Sequence, residues 1–338
     1  ATAVPNVATT TAVSSSVNPV LIPLAGNSTA TLTATVTASG NPVTLGSVTF
    51  FDGATLLAAN VPLNVNGQAT VTFNTTGAVA PVLGEGLHNI SANYSGATGF
   101  GASAGNVTQT VDRATQVTGN TFCNTGTITL PQAVAAASVY PSKLFVTGMA
   151  GTTQSVAMEL KDLTHPATDD LNMLLVSPTG QKFVPFAYIS NPASATVGAK
   201  IRLDDLAVNA LPGSGAVVSG TYRPSHGLNG IVASPVTFVA PAPAGPYNSA
   251  APVGSATFAS TFSGASPNGT WTLYALNWAN TATAGTREIA TGWCLTLGSS
   301  SDPASTITPS VTPTPSALGQ SVTITAQVRR ANDGQPIG

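Results

Sequence analysis

The stretch His165–Gly180, HPATDDLNMLLVSPTG, decides how the chain is read. It opens on a polar acidic turn at Asp169-Asp170 and runs on through Leu171, Met173, Leu174, Leu175 and Val176. It stops at Ser177-Pro178-Thr179-Gly180, where proline and glycine supply the backbone angles of a turn. The apolar run is too short for a membrane span and too abruptly bounded for a long helix, so it reads as a buried strand. A later segment, SPNGTWTLYALNWANTATAGTREIATGWCLTL at Ser266–Leu297, answers it with the same texture.

Composition narrows the class. At 338 residues the chain has room for two or three domains. Charged residues are 7%, against roughly a quarter in an average soluble protein. The formal net charge of −2 leaves no basic face for nucleic acid and no polybasic patch for a membrane surface. No segment reaches the ~18 uninterrupted apolar residues of a transmembrane helix, so membrane insertion is not expected. Alanine and valine interleave with threonine and serine, the pattern of half-buried strands. Glycine (33) and proline (25) supply the many turns an all-β fold needs. No signal peptide or anchor is read in the chain.

Taken in order, residues 1–20 form a linker that leads into an edge strand. Leu32, Ala34 and Val36 then face one way while Thr31, Thr33, Thr35 and Thr37 face the other, a period of two. Asp52-Gly53 and Asn66-Gly67 are expected to close hairpins, because both dipeptides tolerate the positive φ of a type I′ turn. Ile90, Ala92 and Tyr94 share one face of LHNISANY, and NVTQTV at 106–111 supplies its partner. A polar connector spans 113–122. FCNTGTITL, SKLFVTG and SVAMELKDL read as strands, and long irregular loops occupy 187–200 and 210–255. PAPAGP at 241–246 excludes any central strand or helix there. AVAAAS at 133–138 is the one candidate helical turn. After a linker at 298–304 the pattern restarts: ALGQSVTITAQVRRANDGQPIG at 317–338 repeats LAGNSTATLTATVTASGNPVTLG at 24–46, with Gly338 opposite Gly46.

Two resemblances follow from these motifs. The first repeat carries GSVTFFDG at Gly46–Gly53 and GLHNISANYSG at Gly86–Gly96, and it is similar to the bacterial immunoglobulin-like repeats of large surface proteins. That family often has Asp where this chain has Ala97. The central region resembles the P domain (homo B domain) of proprotein convertases and of many bacterial secreted proteins. The matching residues are HPATDDLNMLLVSPTG, Asp204-Asp205-Leu206-Ala207, Gly220-Thr221-Tyr222-Arg223-Pro224, Asn268-Gly269-Thr270-Trp271-Thr272-Leu273, and Gly285, Ile289, Trp293 and Leu295. The resemblances imply an all-β chain of tandem antiparallel β-sandwiches. Residues 1–112 are immunoglobulin-like, 113–300 form a jelly-roll P-domain-like unit, and 301–338 begin a second immunoglobulin-like unit. Cys123 and Cys294 lie in the first and last strands of the middle unit, where a closed sandwich brings its ends together, and they are expected to form a disulfide. The resemblance also implies structural calcium on loops carrying Asp169, Asp170, Asp204 and Asp205, since calcium takes six to eight oxygens from such loops. Asn277 stands where the family usually has Asp. No other cofactor is expected.

Catalytic readings fare poorly. Gly101–Gly105 matches G-x-S-x-G around Ser103, but that motif needs a strand-to-helix turn with a downstream acid and histidine. His88, His165 and His226 lack metal-ligand spacing. His165 aligns with a structural histidine of the family, while His88 and His226 are read as solvated. Trp271 and Trp293 sit at core positions. Trp278, in a loop between Asn277 and Asn280, is read as partly buried, with stacking on a sugar as the alternative. The N-x-S/T sequons at Asn27, Asn74, Asn89, Asn93, Asn106 and Asn268 are what a chain rich in Ser, Thr and Asn produces by chance. The expectation is a non-catalytic segment of an extracellular bacterial surface, adhesive or fibrous protein. The accessory region of a secreted protease and a carbohydrate-binding module are the alternatives. Its expected partner is further polypeptide, in the same chain or in a neighbouring subunit.

Overall fold

The computed structural model describes residues 6–190, 194–227, 236–279, 284–300 and 305–330. Residues 331–338, which carry the expected repeat as far as Gly338, lie outside the described residues. The chain is built of β-strands in several mainly antiparallel sheets.

The first sandwich contains β1 (Thr10–Ser15), β2 (Val20–Ile22), β3 (Thr29–Ala38), β4 (Asn41–Pro42), β5 (Ser47–Asp52), β6 (Thr55–Pro62), β7 (Gln68–Asn74), β8 (Gly86–Tyr94) and β9 (Ser103–Arg113). One sheet carries β3 between β1 and β7, with β4 folded back on the end of β3. The other has the order β2-β9-β8-β5-β6. Alternation along β3 buries Ala30, Leu32, Ala34 and Val36 against Val48, Phe50, Phe73 and Ile90, while its threonines face outward. Asp52-Gly53 does close a hairpin, with Asp52 paired to Thr55. The Asn66-Gly67 turn does not: β6 and β7 belong to different sheets, so this turn carries the chain across the sandwich. Asn64 organises it by accepting at Oδ1 from the N–H groups of Asn66 and Gln68. Gly67 (φ +70°) is required here, because a Cβ would lie 2.7 Å from the Val36 carbonyl oxygen.

The second sandwich contains β10 (Gln116–Thr118), β11 (Thr121–Asn124), β12 (Ile128–Thr129), β13 (Ala135–Ala136), β14 (Ser142–Val146), β15 (Thr153–His165), β16 (Leu171–Val176), β17 (Lys182–Ala187) and β18 (Thr196–Asp204). It continues with β19 (Gly220–Tyr222), β20 (Ser225–His226), β21 (Asn248–Ser249), α1 (Phe258–Phe262), β22 (Gly269–Asn277), β23 (Glu288–Ile289) and β24 (Trp293–Ser299). One sheet follows β10-β11-β24-β15-β18-β19, and the other follows β13-β22-β16-β17-β20. Trp271 and Trp293, one from each sheet, are both fully buried between them.

All six residues of β16 are buried, and the reason is that this strand has apolar neighbours on both faces. Leu171, Met173 and Leu175 point into the core between the sheets. Leu174 and Val176 point outward into a second apolar layer with Val184, Tyr188, Tyr274 and Val236. A strand covered on both sides reads as a continuous apolar run rather than an alternating one.

Several local expectations are corrected. AVAAAS contributes a two-residue strand, Ala135–Ala136, that pairs with β22, because that edge needs hydrogen-bond partners more than three alanines need a helical turn. The one α-helix among the described residues is α1, capped by Thr257 and Ser260, and it drives Phe258 and Phe262 into the core. β18 begins inside the 187–200 stretch expected to be irregular. The 113–122 connector is already a β10–β11 hairpin.

The two sandwiches meet through polar contacts. Lys143 pairs with Asp112 at 2.8 Å and Arg113 with Glu85 at 2.9 Å, while Asn124 donates to Glu85 at 2.6 Å. After residue 304 come β25 (Ser305–Thr312) and β26 (Thr323–Arg330), which pair antiparallel with each other and, among the described residues, with no other strand.

Candidate functional site

The stretch His165–Asn172 lies at one end of the second sandwich, next to Asn277 and Arg287. His165 ends β15, a 3-10 turn covers Thr168–Asp170, and Leu171 starts β16 opposite Asn277 of β22. His165, Thr168, Asp170, Asn172, Asn277 and Arg287 are all buried. The His165 ring accepts at Nδ1 from the Ala167 N–H (3.2 Å), so its remaining proton sits on Nε2, which has no partner within hydrogen-bond distance. Burial holds its pKa down at about 4 and the nearby Arg287 cation adds to this, opposed in part by Ala167 and Asn277. The histidine is therefore neutral at physiological pH and serves as a packed polar post. Asp169 is pushed above the usual carboxylate range by burial first and then by its neighbour Asp170.

The amide of Asn277 does here what a carboxylate is unable to do. Nδ2 donates to the carbonyl oxygens of Ala279 (2.7 Å), Gln132 (3.1 Å) and Ala133 (3.3 Å), tying the 132–133 segment to the end of β22. Trp278 follows directly. Its Nε1 donates to the Asp169 carbonyl at 2.6 Å, and its ring stands edge-on to Tyr188 at 4.8 Å. That places it half-buried inside the outer aromatic layer rather than free to stack on a sugar.

The expected calcium set is not assembled. His165 pairs with Thr196 at the start of β18, whereas Asp204 ends the same strand. Eight strand steps separate them, about 26 Å at ~3.3 Å per residue, so Asp169 and Asp170 sit at the far end of β18 from Asp204 and Asp205. The latter pair has other duties. Asp204 accepts from Arg202 and from the Leu206 N–H. Asp205 accepts from the N–H groups of Phe258 (3.0 Å) and Ala259 (2.8 Å) at the start of α1. Among the described residues no group of three or more His, Cys, Asp or Glu is gathered that would hold a metal ion.

Cys123 and Cys294 are bonded, with Cα atoms 4.1 Å apart and a sequence separation of 171. They face each other directly in the β11–β24 pairing, which joins the beginning and the end of the second sandwich.

Ser103 begins β9, and its hydroxyl bonds to the hydroxyls of Thr9 and Thr11, with a strand rather than a helix following it. His88 bonds Asp52 at 2.7 Å through Nδ1 and the Gly84 carbonyl at 2.8 Å through Nε2, so neither ring nitrogen is left for a nucleophile. It is half-buried rather than solvated. His226 departs further from expectation: it is 1% exposed, neither ring nitrogen has a partner, and burial holds its pKa at about 4. Nothing around His226 in the sequence signals this, because the residues that cover it come from 236–253.

The comparisons bear on the first sandwich. Residues 9–112 match the family described as Bacterial Ig-like domain (group 3). That family is typically non-catalytic. No curated protein matches the chain. A solved structure of a Corynebacterium diphtheriae protein, described provisionally as membrane anchored, aligns over 96% of this chain at 12% identity, with a TM-score of 0.27. The chain spans 56% of that protein's length, and likeness at this level carries no argument.

Proposed function

We propose that this chain is a non-catalytic segment of an extracellular bacterial surface protein. The immunoglobulin-like sandwich acts as a spacer, the second sandwich is a P-domain-like stabilising or interaction module, and residues 301–338 begin another spacer. The observation that carries this reading is a recurring strand pair. In the first sandwich β3 pairs antiparallel with β1, a strand that precedes it. When 317–338 is laid on 24–46, β26 falls on β3, and it too pairs antiparallel with a strand that precedes it, β25. A unit that recurs on both sides of a different module is the build of an extended array, whose work is reach and display. The internal disulfide supports an oxidising, extracytoplasmic setting.

The repeated hairpin lacks what covers its counterpart. Leu32 is 0% exposed, whereas Ile324 is 71% exposed; Val322 and Val328, which correspond to buried Ala30 and Val36, are also exposed. Appending a second copy of residues 47–113 after Gly338 is expected to complete the sandwich and protect the β26 amides from hydrogen exchange. Unchanged exchange there would remove the tandem reading. Antibody against residues 9–300 is expected to label intact cells of the source bacterium, and labelling only after lysis would refute the surface assignment.

A further inference from the structure

The outward face of the β10-β11-β24-β15-β18-β19 sheet is grooved by three adjoining cavities of about 390, 360 and 110 Å3. The first two share Arg202 and the last two share Asp205, so together they form one extended cleft. Strand register builds it. Thr296, Ala157 and Asp204 stand side by side on β24, β15 and β18. Two residues along, Glu159, Arg202 and Thr221 form a second row on β15, β18 and β19. Both rows face outward because Met158, Leu203 and Leu295, which lie between them in sequence, point into the core. Ala157, low between Thr296 and Asp204, floors the trough. From Thr221 to Thr296 the cleft crosses three strand spacings, about 14 Å at ~4.8 Å each. Its charges balance among the described lining residues: Lys200, Arg202 and Arg223 against Glu159, Asp204 and Asp205. Lys200 lies 3.2 Å from Glu159, and Arg202 lies 3.0 Å from Asp204. These pairs are within reach of solvent, with the Arg202 side chain 33% and that of Asp204 24% exposed. Asn120 and Gln154 add two amides, and no aromatic ring is among the described lining residues.

We infer that this cleft binds a neutral polysaccharide chain. The ligand is a chain because the cavities run on from one another rather than enclosing a single compact space. It is neutral because Lys200 and Arg202 each already face a carboxylate, so an ionic group would have to break one pair to make another. It is rich in hydroxyls because a carboxylate beside a guanidinium sets acceptors next to donors. Neighbouring sugar hydroxyls, each both donor and acceptor, match that arrangement. An extended peptide fits less well. The cleft lies on the face of the sheet, where the backbone groups of β15, β18 and β24 are already paired, so it offers no free strand edge. The proposal gives the second sandwich a ligand and does not depend on where the protein is displayed, so either reading can fail alone.

The test titrates the full chain, by calorimetry, with the β-1,4-linked hexasaccharides of glucose, mannose and xylose. A hexamer of galacturonic acid and a Gly-Ser peptide of similar length are the charged and peptide comparisons. At least one neutral hexasaccharide is expected to bind saturably, more tightly than its own disaccharide, and with an affinity that added sodium chloride leaves unmoved. Arg202→Ala should weaken that binding about tenfold, what one charge-assisted hydrogen bond is worth. Ala157→Phe raises the floor of the trough and should abolish it. Both substitutions lie on the outward face, so tryptophan-monitored urea midpoints should stay near that of the native chain. Failure of all three neutral hexasaccharides to saturate would overturn the proposal. So would equal or tighter binding of the galacturonate or the peptide, or an affinity that survives in both variants.

Discussion

Acid should unfold the second sandwich through two histidines. His165 and His226 are buried and neutral, with pKa values held at about 4 against 6.5 in an unfolded chain. The unfolded state therefore binds more protons between pH 6.5 and 4, and stability must fall as pH falls through that window. The full difference is about 3 kcal/mol for each ring, and by pH 5 about 2 kcal/mol for each has been lost. Arg287 and Asn277 act on His165, and Tyr188 packs against His226. Asp169, whose carboxyl is raised by burial and then by Asp170, acts in the opposite sense and regains stability on protonation. The two histidines together thus remove about 4 kcal/mol at pH 5, a large share of the ~5–15 kcal/mol that holds a typical domain folded. All three tryptophans, Trp271, Trp278 and Trp293, lie in this sandwich, so tryptophan emission reports on it alone. With a urea slope of roughly 2 kcal/mol per molar, the unfolding midpoint should drop by about 2 M between pH 7.5 and pH 5. His165→Asn, whose amide oxygen replaces Nδ1 as acceptor for Ala167, should halve that drop. Adding His226→Phe should abolish most of it. Equal midpoints at the two pH values, or a drop that persists in the double variant, would refute the assignment.

Reducing the Cys123–Cys294 bridge frees a loop of 171 residues. Chain entropy sets a ceiling of about 5 kcal/mol on that loss, so the tryptophan-monitored midpoint should fall sharply with dithiothreitol, and an unmoved midpoint would contradict it. Asp205→Ala removes two acceptors from the start of α1 and should destabilise the second sandwich by about 1–2 kcal/mol in urea titration; no loss would mean that the cap is dispensable. Calcium at 1 mM should leave the melting temperature of the native chain where a chelator leaves it. A rise that Asp205→Ala abolishes would restore a metal to that loop.

Much of the architecture was legible in the order of residues. Period-two alternation in Leu32, Ala34 and Val36 and in Ile90, Ala92 and Tyr94 specifies strands with one buried face, and the short two-sided run at Leu171–Val176 specifies a strand covered on both. Those signals are local, because a strand's pleat dictates which side chains share a face. What stayed hidden depended on contacts between distant segments. Asn66-Gly67 is the same dipeptide whether the chain returns to its own sheet or crosses to the other, and only the packing of β6 and β7 chose the crossing. Asp204 and Asp205 resembled ion ligands until the fold set them at the opposite end of β18 from Asp169 and gave Asp205 the amides of a helix more than fifty residues away. His226 was read as a solvated loop residue, and the structure buries it. Val236, Phe238 and Tyr247 fold back over β17 and exclude water from that surface, and burial of this kind is a property of the assembled layer that no window of sequence around the histidine contains.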